Sequence, residues 1–261
     1  MVKADSILIT GASSGIGEAL AVECARRGAA HIFICGRDAG RLESVAARCR
    51  ELGAEVGAQV LDVTDAVAVR AWVEACDAAA PLNLVFSNAG IGTGVESEEN
   101  IRRTFATNVD GNLNVVLPVL ARFRADPGRV RRQIVITASM AGYAPLSTCP
   151  AYSASKSAMK TWALAFRKPL AREGIRMNVV CPGFVRSRIT DRNTCPMPFF
   201  MEADRAARII LGRVDRNVGL IAFPWPMRLM TWLLSICPWR LAEFIAGLLP
   251  EKNSDAVKGE R

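Results

Sequence analysis

The sequence predicts an α/β fold, a doubly wound parallel seven-stranded sheet with helices on both faces. Three observations carry the prediction. Short apolar runs alternate with stretches of helical period along roughly the first two hundred residues, the pattern of repeated βαβ units. A glycine-rich turn follows the first apolar run and opens the first helical stretch. The chain has 261 residues, 51% hydrophobic and 22% charged, which suits one large core and argues against disorder.

Taken in order, strands are expected at 6–10, 32–35, 56–61, 84–87, 133–137 and 176–181, each a short apolar run. Helices are expected between them at 16–27, 37–52, 66–79, 101–123 and 152–173, where apolar residues recur at helical spacing. Since a helix separates each pair of strands, consecutive strands must be parallel with right-handed crossovers. A seventh strand is expected at 218–223. Ligands of such a sheet bind at the carboxyl ends of its strands. Residues 1–223 read as one domain and 224–261 as an apolar helical extension with a polar tail.

Composition removes several functions. The single histidine, His31, excludes a two-histidine metal site and argues against a Ser-His-Asp hydrolase, so no metal is expected. Net charge is +8, from 33 basic and 25 acidic residues. Its densest spot, Arg122, Arg124, Arg129, Arg131 and Arg132 around Asp126, lacks the interleaved aromatics of a base-stacking surface and reads as a solvated basic loop. Specific nucleic-acid binding is therefore not expected. The eight cysteines form no CxxC pair and read as reduced thiols. With the first strand beginning almost at once, there is no room for a leader peptide, and a cytoplasmic location is expected.

Three strand ends carry candidate binding residues. Thr10-Gly11-Ala12-Ser13-Ser14-Gly15-Ile16-Gly17 joins the first strand to the first helix. There Gly11, Ser13, Ser14, Gly15, Ile16 and Gly17 can bring backbone amides and the helix dipole to a pyrophosphate; alone, the motif could be a tight strand-to-helix turn. The second strand ends on Cys35-Gly36-Arg37, where an acid would bind the adenosine ribose hydroxyls. Arg37 instead offers a planar cation that suits a ribose 2′-phosphate, hence NADP(H); as a bland alternative it simply begins a solvated helix. After the third strand Asp62, beside Val63, can accept from the adenine amino group or close the turn before Ala66, and the two roles are compatible. Asn88, Ala89 and Gly90 end the fourth strand with small residues that let backbone run close beneath a nucleotide.

The decisive set is Ser139, just past the fifth strand, with Tyr152 and Lys156 stacked one turn apart on a helix. An ammonium near a phenol favours phenolate, so the expectation is a tyrosine tuned downward toward the pH where it can give and take a proton.

In this order of motifs the chain resembles the short-chain dehydrogenase/reductase family over roughly residues 5–223. The matching residues are the first glycine turn, Asn88-Ala89-Gly90, Asn108 within Thr107-Asn108-Val109-Asp110-Gly111, Ser139, Tyr152-Ser153-Ala154-Ser155-Lys156 and Pro182-Gly183. The resemblance implies a Rossmann-like domain in which Tyr152 is the general acid and Ser139 binds the carbonyl oxygen. Lys156 lowers the tyrosine pKa and holds the nicotinamide ribose, and Asn108 anchors a relay water. Pro182, Gly183, Val185 and Ser187 lie beside the nicotinamide. It further implies a homodimer or homotetramer paired through the helices bearing Asn108 and Tyr152. Ser87 and Asn83 depart from the family pattern without removing a catalytic group, and Pro169 should kink or end its helix.

The substrate side is apolar. A lid region reads Cys195-Pro196-Met197-Pro198-Phe199-Phe200-Met201, which fits an apolar substrate and equally fits ordinary packing of a loop onto the sheet. From 218 to 249 the only charges are Arg228, Arg240 and Glu243, yet no charge-free run reaches the ~18 residues of a membrane span. Two short helices are expected, 226–237 and 238–249, each with a narrow polar face, the rest being wide and apolar with Trp225, Trp232 and Trp239 suited to an interface. A peripheral membrane foot, a subunit interface and a cap over the cleft all fit. The functional expectation is an NADP(H)-dependent reductase, or reverse dehydrogenase, of an apolar and lipid-like carbonyl substrate. The alternative is a non-catalytic NADP(H)-binding sensor or scaffold, against which the intact Asn108, Ser139, Tyr152 and Lys156 argue.

Overall fold

Strands covered by helices on both faces are buried throughout and mostly apolar, and here the central ones are buried, with Gln133 and Asn178 satisfied by a hydrogen bond to each other. β1 (Ser6–Thr10), β4 (Leu84–Ser87) and β5 (Gln133–Thr137) are buried at every position, and β6 (Arg176–Pro182) at every position after Arg176. They form the centre of a computed structural model that describes residues 6–191, 196–238 and 240–241. β2 (His31–Gly36) and the exposed β3 (Glu55–Val60) complete one side, and β7 (Leu220–Phe223) the other. The order is β3-β2-β1-β4-β5-β6-β7 with every neighbour parallel. His31 lies half-buried at the β2–β3 edge, 3.2 Å from Glu55.

Helices α1 (Gly15–Arg26), α2 (Ala39–Glu51) and α8 (Ala203–Asp215) cover one face, burying Leu20, Val45 and Ile210 against Ile9, Ile34 and Phe86. On the other, α3 (Ala66–Ala79), α5 (Gly111–Ala125) and α6 (Pro150–Arg172) bury Val73, Val116, Phe123 and Met159 against Leu8, Val85 and Ile134. Asp38 and Asp65 cap α2 and α3 by accepting from Arg41 N and Ala68 N, each at 3.0 Å; such caps contribute about 1 kcal/mol. Among the described residues no helix is long and apolar enough to cross a membrane. Cys24, Cys35, Cys49, Cys76, Cys181 and Cys237 are free thiols, and burial pushes the Cys24, Cys35, Cys76 and Cys181 thiols up to about 12.

The pattern reading differs from the structure at five places. The single helix expected over 101–123 is α4 (Glu98–Phe105), a π-helical segment Ala106–Asp110, and α5. A π turn accommodates an extra residue, which breaks the 3.6 period. Helix α8 falls where no helix was expected, because its buried face begins with the small Ala206 and Ala207. The last strand starts at Leu220, since Val218 N donates to Arg213 O and still belongs to the end of α8. Pro169 does not end α6, which runs on to Arg172; only its last three residues lie beyond the proline.

The fifth difference is the arginine cluster, which is a structural brace and not a solvated loop. Asp77, buried at the end of α3, accepts from Leu82 N at 3.1 Å and pairs with Arg122 at 2.7 Å and with Arg129. Arg124 pairs with Glu173 at 2.6 Å, and Arg132 donates to Phe123 O and Glu173 O. Burial works to raise the Asp77 carboxyl, but the hydrogen bonds from Arg129, Arg122 and Leu82 hold it down to about 2. The acids that neutralise the cluster are remote in sequence, which is why composition hides them.

The expected helix 226–237 is α9 (Trp225–Ile236). The second, 238–249, lies almost wholly outside the described residues, as does Cys195 of the lid region.

Candidate active site

The chain turns from β1 into α1 in the least space a backbone allows. Gly11 and Gly15 take φ of +67° and +60°, which only glycine adopts freely. A Cβ on Gly11 would stand 2.9 Å from Ala89 Cα, and one on Gly17 2.3 Å from Gly11 O. Thr10 stitches this turn to the end of β4: its Oγ1 accepts from Asn88 N and Ala89 N at 3.0 Å, while Asn88 Nδ2 donates to Thr10 O. Ser14 caps α1 in extended backbone without a side-chain capping bond. The first-turn amides of Gly15, Ile16 and Gly17 have no helical carbonyl to bond, so this cradle suits an anion.

Beyond it lies the end of β2. Ser13 Oγ would meet a Cβ on Gly36 at 2.9 Å, so Ser13 roofs the strand end. Arg37 is 59% exposed and reaches Asp62 at 3.7 Å. Asp62 also accepts from Thr64 N and Thr64 Oγ1 at 3.0 and 2.9 Å, closing the turn ahead of α3. Partial burial opposes it, but the Thr64 hydrogen bonds and the Arg37 charge hold the Asp62 carboxyl below its ordinary value. Val63 is buried against Gly111, which has no room for a side chain there, and its carbonyl accepts from Asn114 Nδ2.

At the end of β5 the chain places Ser139 as cap of a short 3-10 turn, Met140–Gly142, its Oγ accepting from Ala141 N at 3.1 Å. Tyr152 and Lys156 rise beside it from the first turns of α6. Lys156 Nζ is buried, donates to Thr137 O at 3.0 Å and lies 5.8 Å from the centre of the Tyr152 ring. An ammonium has three donors, so Lys156 retains hydrogen-bonding capacity toward the cleft. Gly90 opens that space: a Cβ there would meet Lys156 Nζ at 2.9 Å and Asn108 Oδ1 at 3.1 Å. Asn108, in the π segment, is fully buried and clamps Ile91, accepting from its N at 2.8 Å and donating to its O at 2.9 Å.

The electrostatics correct one expectation. Burial pushes the Tyr152 phenol up to about 12, against a hydrogen bond with Ser139 that lowers it. Burial holds Lys156 down to about 8. Desolvation is the leading cause of both shifts, so in this structure the tyrosine is shifted upward and not tuned downward.

The segment after β6 closes the site. Pro182 ends the strand, and Gly183 N donates to Phe223 O at 2.8 Å. Val185 bridges to Met201, and Ser187 packs against Gly15, bringing this segment onto the glycine turn. In the short helix α7 (Arg188–Asp191), Ile189 touches Gly92 across the cleft. Phe199 and Phe200 of the lid region are exposed, while Met201 is buried.

All the expected site residues thus lie along the carboxyl edge of the sheet, from Arg37 at one end to Ser187 near the other. Five supporting residues escaped the sequence reading. Thr10 ties the two strand ends together. Asn112 donates to Ala89 O and Asn108 O, and Ser155 accepts from Asn108 Nδ2 at 3.1 Å. Lys160 donates to Gly142 O at 2.5 Å and steadies the Ser139 turn. Thr190 Oγ1 accepts from Ser187 N at 2.8 Å. Only Asn112, one helical turn past Asn108, carries a spacing that could have revealed it. Surface hollows beside Trp72 and on the α4 face contain none of the candidate catalytic or binding residues; chemistry, not concavity, locates the site.

Comparison with known proteins gives the same assignment. A family model for short chain dehydrogenases matches residues 5–196. An uncharacterized oxidoreductase of Myxococcus xanthus (strain DK1622) is 36% identical over 239 residues, covering 88% of this chain and 92% of that protein. A short chain dehydrogenase/reductase of Burkholderia phymatum, crystallised with NAD, superposes with a TM-score of 0.81 at 26% identity, covering 90% of this chain and 94% of that one. A short-chain dehydrogenase of Sphingobium yanoikuyae in complex with NADPH gives 0.77 at 28%, covering 90% and 96%. The sheet order, the glycine turn and these matches agree: the chain belongs to the short-chain dehydrogenase family and is an oxidoreductase of CH–OH and C=O groups.

Proposed function

We propose that the protein is an NADP(H)-dependent oxidoreductase that reduces an apolar carbonyl compound or oxidises the corresponding alcohol. The observation that carries the reading is the convergence of Ser139, Tyr152 and Lys156 beside the space that Gly90 leaves open. The cradle fits a dinucleotide, because glycine at 11 and 17 lets the turn lie against Ala89 and its own backbone with its amides open, and glycine at 90 leaves the heads of Lys156 and Asn108 in place. Residues Gly11, Ser13, Ser14, Gly15, Ile16 and Gly17 would hold the pyrophosphate, and Arg37 the 2′-phosphate. Asp62 and Val63 would hold the adenine; Asn88, Ala89, Gly90, Tyr152 and Lys156 the nicotinamide ribose; Pro182, Gly183, Val185 and Ser187 the nicotinamide.

When bound, the cofactor supplies the hydride. Tyr152 Oη delivers a proton to the carbonyl oxygen, and its raised pKa keeps that proton in place until charge develops on the acceptor. Ser139 Oγ donates to the same oxygen and fixes its position. Lys156 Nζ stabilises the phenolate left behind, and Asn108 anchors a relay water from across Gly90. The exposed Arg37, with no acid in its place at the strand end, supports NADP(H). Ile189, Phe199 and Phe200 around the cleft support an apolar substrate. A homodimer or homotetramer paired through α5 and α6, and a peripheral membrane contact through 224–249, belong to the same reading.

The test is cofactor consumption with NADPH and NADH over carbonyls of increasing chain length, including a long-chain 3-oxo ester and a steroid ketone. The expected result is a rate that requires NADPH and rises with apolar size. Equal rates with NADH, or a preference for small polar carbonyls, would overturn the corresponding half of the reading. NADPH binding without turnover of any carbonyl would favour a cofactor sensor.

A further inference from the structure

Helix α9 presents an apolar face that nothing among the described residues covers. None of its residues is buried. Helical spacing places Trp225, Leu229, Trp232, Leu233 and Ile236 on one side, with exposures from 47% at Leu229 to 74% at Trp225. The opposite side holds the helix to the enzyme: Met227 Sδ lies 2.6 Å from where a Cβ on Gly183 would stand, and α9 packs on the Met140–Gly142 turn that follows Ser139.

Two further observations say what this face meets. The two hydroxyls of the helix, on its narrow polar side beside Arg228, are turned back onto the backbone, Thr231 Oγ1 donating to Met227 O at 2.9 Å and Ser235 Oγ to Trp232 O at 2.7 Å. Neither proton needs water, as suits a helix leaving an aqueous phase. The only charges between Pro224 and Leu241 are Arg228 and Arg240, both exposed, and that stretch carries no acid. A second copy docked about a two-fold axis would crowd like charges on one rim. An anionic headgroup layer would pair them.

We propose that α9 lies in the interface of an anionic lipid bilayer. Trp225, Leu229, Trp232, Leu233 and Ile236 enter the acyl boundary, and Arg228 and Arg240 stand at phosphate level. Since the root of α9 touches Gly183 and the Ser139 turn, docking sets the mouth of the active site against the lipid. A carbonyl substrate dissolved in the bilayer then reaches Tyr152 without crossing water. This deepens the membrane contact proposed above and does not depend on cofactor choice.

The experiment is co-sedimentation of the full chain with vesicles of phosphatidylcholine alone or mixed with phosphatidylglycerol. NADPH binding is followed by fluorescence on the same samples. The parent protein is expected to bind the mixed vesicles more tightly than the neutral ones. Leu229→Glu/Ile236→Glu should lose about tenfold or more in vesicle binding, and Arg228→Glu should lose binding to the mixed vesicles alone. All variants should still bind NADPH. Equal sedimentation of parent and double variant, or no sedimentation of the parent, would overturn the proposal. So would a parent dimer that the double variant converts to monomer, which assigns the face to a second copy. Failure to bind NADPH with vesicle binding intact would count against the cofactor reading and leave the docking result standing.

Discussion

The two ends of the sheet bury ionisable groups to opposite effect. At the amino end Asp77 is surrounded by donors from Arg122, Arg129 and Leu82, and its carboxyl is held down to about 2. At the carboxyl end Tyr152 is half-buried and Lys156 buried, both with donor capacity to spare, and desolvation drives both toward their neutral forms, to about 12 and about 8. Burial is common to both ends; the partners differ. Where hydrogen bonds outweigh desolvation the charge serves stability, and where desolvation wins the proton is left available for chemistry.

Substitutions at the two ends should therefore separate activity from stability. The largest effect is expected at Tyr152→Phe, where kcat should fall about a thousandfold while the urea midpoint and cofactor binding stay near the parent values. Retained activity would remove the tyrosine from the mechanism. Asp77→Ala should do the reverse, costing about 3 kcal/mol in urea unfolding by stripping the buried Arg129 of its bidentate partner and leaving it only Asp126 and Leu82 O, with kcat nearly unchanged.

The same carboxyl makes stability depend on acid. Unfolded Asp77 binds its proton near pH 3.8 and the folded form only near 2, so its contribution is present above about pH 4 and lost as pH falls toward 2. A parent protein whose urea midpoint stays flat across that window would contradict the brace. A smaller effect is expected at Arg37→Asp: about a tenfold shift in kcat/KM from NADPH toward NADH, read from paired initial rates.

The smallest expected change has an unusual sign. Below about pH 8 folded Lys156 carries its charge against desolvation, and between about 8 and 10.5 the unfolded chain binds more protons, so stability rises with pH there. Lys156→Met should accordingly raise stability at pH 7 by about 1 kcal/mol while lowering kcat, as thermal and kinetic measurements on one preparation would show.

Much of this was legible in the sequence because the signals are local. The glycines of the first turn are adjacent to the strand they terminate, and Tyr152 and Lys156 are one helical turn apart, so the chain itself fixes their geometry. What escaped depends on distance in sequence or on burial. Arg129 meets Asp77 only after α3 and β5 have folded together, so the arginines looked solvated. The π segment hides because one extra residue breaks the helical period, yet it is what aims Asn108 at Ile91. The upward shift of Tyr152 could not be inferred from a lysine four residues away, since desolvation is set by the whole fold.

The position of His31 has a practical consequence for kinetics. The chain's one imidazole sits at the β2–β3 edge beside Glu55, away from Tyr152 and Lys156. A rate profile between pH 6 and 9 therefore has no histidine in the reaction centre to confuse it. A limb near pH 8 that is present in the parent and absent in Lys156→Met would belong to that amine, with no imidazole in the reaction centre to overlap it.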